Sequence, residues 1–184
     1  MKGNRAVLTA IVIVVVLIVG WWLFGRGGAG GRIDLADRFA EAAKRPNAEL
    51  FSIADASLGG VSKKAIAINP TAGSRITWKV RVPDDGWLWV SVGMKQETWD
   101  KEGDGIKFLV GVSDGRAFEP LFEQHLNPFA NQGDRKWLPV RVDLATYAGE
   151  EVDIIFNTYA SLPRQPEDQR NDLALWGNPE IVVR

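Results

Sequence analysis

Cysteine is absent from the 184 residues, histidine occurs once, and neither sign of charge prevails: 22 Lys and Arg stand against 23 Asp and Glu. Without cysteine there is neither a disulfide framework nor a thiolate metal site, so the fold must be held by packing alone. A formal net charge of −1 provides no electrostatic footprint for nucleic acid. Nucleophilic catalysis needs an activated Ser, Cys or Thr with a base beside it. The lone His125 sits in Phe122-Glu-Gln-His-Leu126, which reads as a polar loop, and no G-x-S-x-G elbow occurs. With 23 acids some carboxylate pair falls close by chance, and no motif selects one for glycoside hydrolysis. The chain reads as a non-enzyme.

What is present begins with Ala6–Phe24, AVLTAIVIVVVLIVGWWLF, nineteen residues without a charge. As a helix that run covers about 28 Å, close to the hydrocarbon thickness of a bilayer. It has no polar face, unlike a core helix of a water-soluble domain. Trp21 and Trp22 mark one end, where indole rings favour the headgroup level. A cleavable signal peptide would have a shorter apolar core of about 7–15 residues, although Gly27 and Ala29 offer a small-x-small site. The retained anchor is the expectation: head 1–5 in the cytoplasm, transmembrane helix 6–24 in the lipid of a bacterial inner membrane, and the rest outside. The positive-inside rule orients it only slightly, since Lys2 and Arg5 precede the span while Arg26 and Arg32 follow.

Residues 25–32, GRGGAGGR, form a flexible tether with five glycines in eight positions. The stretch 33–46 predicts a short amphipathic helix. Leu35, Phe39 and Ala42/Ala43 make one apolar stripe, acids stand first and bases last, and Pro46 ends it. From residue 47 the period changes to two. Ile76–Val82 alternates as a strand, Pro83-Asp-Asp-Gly86 turns, and Trp87–Met94 returns, which predicts a hairpin. Lys64–Ile68, Ile106–Val112, Trp137–Leu144, Val152–Thr158 and Leu173–Trp176 with Glu180–Val183 complete the strands, leaving 96–105, 119–135 and 160–171 as loops. The fold class is mainly β, with residues 47–184 forming an antiparallel sandwich.

In the second half, Ser113-Asp-Gly115, Trp137, Val142-Asp-Leu144, Tyr147-Ala-Gly149, Val152, Phe156, Thr158 and Trp176-Gly-x-Pro179 resemble the jelly-roll domains of the galactose-binding-like type. The resemblance implies a jelly-roll sandwich. It names no function, because that fold serves lectins, adhesive modules, enzyme appendages and assembly subunits alike.

Six tryptophans follow the anchor. Trp78 and Trp137 fall at core positions of strands, whereas Trp87 and Trp89 share a face opposite Leu88 and Val90 and are candidate aromatic contacts. Trp99, among Glu97, Asp100 and Lys101, is the best single candidate for an exposed one. Asp100, Glu102 and Asp104, followed by Gly105, open like a calcium loop, but Gly111 stands where the bidentate glutamate belongs. A solvated turn is the default there, with calcium as the alternative and no other cofactor expected. A small anchor, one modest domain and surplus aromatics point to an accessory subunit that braces a larger membrane protein complex. An envelope-tethered carbohydrate-binding module, with a glycan as partner, is the alternative.

Overall fold

The computed structural model describes residues 31–70, 73–160 and 168–184. The head, the expected span 6–24 with Trp21 and Trp22, and nearly all of the tether lie outside the described residues. Among the described residues no helix is long and apolar enough to cross a membrane.

Among the described residues eleven strands form two antiparallel sheets. In chain order they are β1 (Ile33–Asp34), β2 (Ala43–Arg45), β3 (Phe51–Leu58), β4 (Val61–Ile68), β5 (Ser74–Arg81), β6 (Gly86–Met94), β7 (Ile106–Ser113), β8 (Phe118–Leu126), β9 (Leu138–Asp143), β10 (Glu151–Tyr159) and β11 (Ala174–Val183). One sheet runs β3-β4-β11-β6-β9, with β1 also paired to β11; the other runs β2-β5-β10-β7-β8. Period-two alternation sets which side chains meet between them. Ile76, Trp78 and Val80 of β5 and Val152, Ile154 and Phe156 of β10 face Leu88, Val90 and Val92 of β6 and Trp176 of β11, all buried. At the centre Trp176 stacks on Phe156 at 4.4 Å between centroids, and Phe108 and Trp78 meet the pair edge-on at 5.1 Å each. Trp176 donates its indole N–H to Thr158 Oγ1 at 3.0 Å, so this deeply buried polar atom is satisfied.

Three expectations are corrected here. Residues 33–46 are not a helix. They cross from β1 in one sheet to β2 in the other through turns, and the apolar stripe is used as a plug: Leu35, Ala36 and Ala42 are buried, with Phe39 packed against the core. Only i to i−3 bonds form, Phe39 N–H to Ala36 O and Glu41 N–H to Arg38 O, while Lys44 Nζ donates to Phe39 O and Ala42 O. A helix this short gains too little from its own ladder to outweigh two strand pairings at its ends. The turn at 83–86 does not close a hairpin, because β5 and β6 belong to different sheets. The loop expected over 119–135 contains most of β8, an edge strand whose Pro120 sits beside a register shift opposite Gly111. An edge position tolerates a proline that cannot donate to the ladder.

Both long loops at one end fold back over the outer face of the first sheet. Trp99 and Trp137 pack there with Leu58, Ala65 and Leu175 as a second, smaller apolar cluster. Gly177 makes this possible: a Cβ there would lie 2.8 Å from the Trp137 ring.

Candidate binding cleft

The outer face of the second sheet carries a cleft of about 470 Å³ lined, among the described residues, by Arg45, Pro46, Gly73, Arg75, Asn157 and Tyr159. Strand register builds it. Arg45 of β2 lies directly opposite Arg75 of β5, which in turn lies opposite Asn157 of β10. Tyr159, two residues on, shares that face, and its ring rests against Gly73, where a Cβ would stand only 3.2 Å from it. Arg75 Nε donates to Asn157 Oδ1 at 2.8 Å, fixing which way the amide points. Asn157 is 3% exposed, yet among the described residues its Nδ2 meets no acceptor. That donor is enclosed, so what the cleft presents to a ligand rich in hydroxyls is the Arg75 guanidinium, held in place by Asn157, beside an aromatic ring. Chain order gives no hint of this grouping. Arg45 reads as the end of a helix, and Arg75 and Asn157 read as the polar side of two strands.

The tryptophans singled out in the sequence lie elsewhere. Trp99 is buried at 9% exposure, and its indole N–H donates to Met94 O at 2.9 Å. It is a structural plug and not an exposed contact. Its charged neighbours misled because they point outward while the ring turns in. Trp87 and Trp89 are half-buried on the outer face of β6. One face of each is taken by a guanidinium: Arg184 stands 4.5 Å from the Trp87 ring centre and Arg141 4.8 Å from that of Trp89. Such stacks are favourable in themselves and leave less ring for a sugar. A shallower hollow of about 190 Å³ adjoins Trp89, with Lys63, Arg141, Asn178 and Glu180 among its lining.

No protein-family model matches the chain. Over 104 residues it is 38% identical to an uncharacterized protein of Archaeoglobus fulgidus; that match covers 56% of this chain but 25% of the relative. Solved structures say more about shape. The CBM51-2 and INT domains of Clostridium perfringens ZmpB, in complex with GlcNAc, superpose with TM-score 0.55 at 15% identity over 83% of this chain and 32% of that one. CBM51 from Clostridium perfringens GH95, in complex with methyl-galactose, gives 0.52 at 17% identity over 82% of this chain and 99% of that one. TmCBM61 in complex with β-1,4-galactotriose gives 0.51 at 12% identity, covering 79% and 90%. The sandwich has the fold of carbohydrate-binding modules. The jelly-roll expectation therefore holds, and identities this low establish the fold alone.

The acidic run behaves as separate groups. Asp100 pairs with Arg135 at 2.9 Å, and Glu102 is exposed. Among the described residues no three acidic or histidine side chains converge closely enough to hold a metal ion by themselves. Asp104 is half-buried and its charge bears on Asp172, a residue the sequence reading passed over. Asp172 is 1% exposed, and among the described residues neither of its oxygens accepts a hydrogen bond. Burial, with the charges of Asp104 and Asp168 adding to it, pushes its carboxyl up to about 8. Burial likewise raises Asp104. His125 Nε2 lies 2.8 Å from Asp104 O on the polar side of β8, a backbone contact that gives it a structural role.

Proposed function

We propose that this sandwich is a non-catalytic carbohydrate-binding domain whose sugar lies in the cleft between Arg45, Arg75, Asn157 and Tyr159. The observation that carries the reading is the cleft itself, where Arg75, oriented by the buried Asn157 Oδ1, stands beside the Tyr159 ring. A pyranose offers such a site one apolar face for the ring and hydroxyls for the donors. The shared fold with modules solved in complex with GlcNAc, methyl-galactose and galactotriose supports a glycan over a protein partner. The accessory-subunit reading has no comparable support. In this proposal the apolar run 6–24 anchors the domain in a membrane, so that the glycan is met at the cell envelope. Confinement to that surface raises the effective concentration of binder and polysaccharide for one another.

The test is a glycan array with the full-length chain in mild detergent, followed by NMR titration of the best binder. Shifts centred on Arg75, Asn157 and Tyr159, with binding lost in Tyr159→Ala, are expected. An array that retains no glycan, or shifts confined to the Trp87 and Trp89 face, would refute the proposal as placed.

A further inference from the structure

Arg45 and Arg75 face each other directly across β2 and β5. Like charges opposite one another in an antiparallel pair are destabilising, and proteins normally place an acid between or beside them. Here, among the described residues, no carboxylate stands within ion-pair distance of either guanidinium. The ion pairs of the described residues engage other cations, including Lys79 and Lys107 on the same sheet. None of the six described residues lining the cleft is acidic. Arg75 spends its Nε on Asn157 and retains its terminal Nη donors, while the Arg45 guanidinium, at the edge of the sheet, makes no hydrogen bond to a described residue. The two forks therefore stand side by side at the mouth of a cleft that already supplies an aromatic ring and a fixed amide.

We infer that the cleft selects an acidic sugar, one whose ring carboxylate is held between Arg45 and Arg75 while its apolar face meets Tyr159. This rests on the glycan reading above and adds the chemical class of the ligand. Guanidinium and carboxylate match in plane and spacing, and a paired fork fixes both the position and the rotation of the sugar. A neutral pyranose would leave the arginines facing one another with no counter-charge. The bound acid removes that repulsion, so part of the affinity comes from relief of a strain built into the empty sheet. Two sources share this chemistry, a uronate within a polysaccharide and a terminal sialate.

Matched pairs separate the possibilities. Calorimetric titration of the full-length chain with trigalacturonate and its carboxyl-reduced counterpart, and with sialyllactose and lactose, should show one acid binding at least about tenfold tighter than its neutral partner. Whichever pair shows the gap identifies the source. Arg45→Gln, at an exposed edge position, should close the gap with thermal stability equal or slightly higher, since the facing charge is gone, and Arg45→Lys should restore only part of it, since a point charge replaces a fork. The preference should also shrink as salt rises. Equal affinity within both pairs overturns the acidic assignment and leaves the glycan reading standing. So does binding of neither pair by a chain that retains neutral sugars on the array. A chain that retains no sugar at all removes both.

Discussion

The buried carboxyl of Asp172 makes stability depend on pH in a direction that can be worked out in advance. Its folded value of about 8 lies far above the 3.8 of an unperturbed aspartate. Between those two values the folded chain keeps a proton that the unfolded chain has released. The unfolded state thus binds fewer protons, and stability falls as pH rises through this window, levelling off above about 8. The slope has a ceiling of about 1.4 kcal/mol per pH unit for one group. Loop rearrangement and water entry at a site near the end of the sandwich lower the integrated loss to a few kcal/mol. Asp172→Asn keeps the shape and deletes the charge. Urea denaturation in EDTA at several pH values from 4.5 to about 9 should show the wild type losing stability while the variant stays nearly flat. The two curves should meet near the acid end, with the variant the more stable at the alkaline end. Asp104→Asn should shift the wild-type decline to lower pH less steeply, because one of the charges that raises Asp172 is gone. A wild type that is flat across the range, with Asp172→Asn weaker at every pH, would refute the reasoning and mean that the carboxylate is paired in solution.

Three further outcomes follow from packing. Trp99→Ala should cost about 3–5 kcal/mol in denaturation because it empties the outer cluster, with sugar affinity unchanged in whatever fraction stays folded; a loss of binding without loss of stability would restore Trp99 as a contact. Gly177→Ala should cost about 1–3 kcal/mol, because the new methyl lands 2.8 Å from a Trp137 ring that is itself tied by its N–H to Val61 O, and a neutral result would show that the ring can slide. Arg135 joins the two covering loops through Pro128 O, Trp99 O and Asp100, so Arg135→Ala should speed amide exchange in 95–105 and 127–137 while leaving β5 and β10 protected. Uniform loss of protection would mean that the loops are part of the global unit.

Much of the sandwich is legible in residue order, because its central strands alternate strictly. Ile76, Trp78, Val80 and Val82, or Val152, Ile154 and Phe156, can face one core only if each segment is extended. The edges are where the reading fails. β8 carries Glu119, Pro120, Glu123 and Gln124 because one of its sides is solvent and its ladder is half open, so its sequence looks like a loop. The segment 33–46 has a true apolar stripe, and period alone does not say whether that stripe lines a helix or plugs the gap between two sheets. The cleft is hidden for a different reason. Arg45, Arg75 and Asn157 lie 30 and 82 positions apart in turn and meet only through cross-strand register, which no local pattern encodes. What local reading finds instead is Trp99, whose neighbours are charged although its own ring is buried.

The fold itself selects which face is left for a ligand. Both long loops at one end, 95–105 and 127–137, lean over the outer side of the first sheet, and two tryptophans seal them there. The remainder of that side presents Trp87 and Trp89 already stacked on Arg184 and Arg141. On the second sheet, the row from Arg45 through Arg75 and Asn157 to Leu109 and Glu123 runs across four strand pairings. Its far end is neutralised, with Lys107 against Glu123 at 2.6 Å, and its near end is not. Covering loops, stacked arginines and a paired lysine thus occupy much of the remaining outer surface. Among the described residues they leave the cleft at Arg45 and Arg75 as a place where unpaired positive charge stands beside an aromatic ring. A binding surface chosen by such elimination has a consequence for engineering. On the reading proposed above, moving the sugar preference would require changing Arg45 and Arg75, whereas changing the conspicuous tryptophans would alter only how well the sandwich holds together.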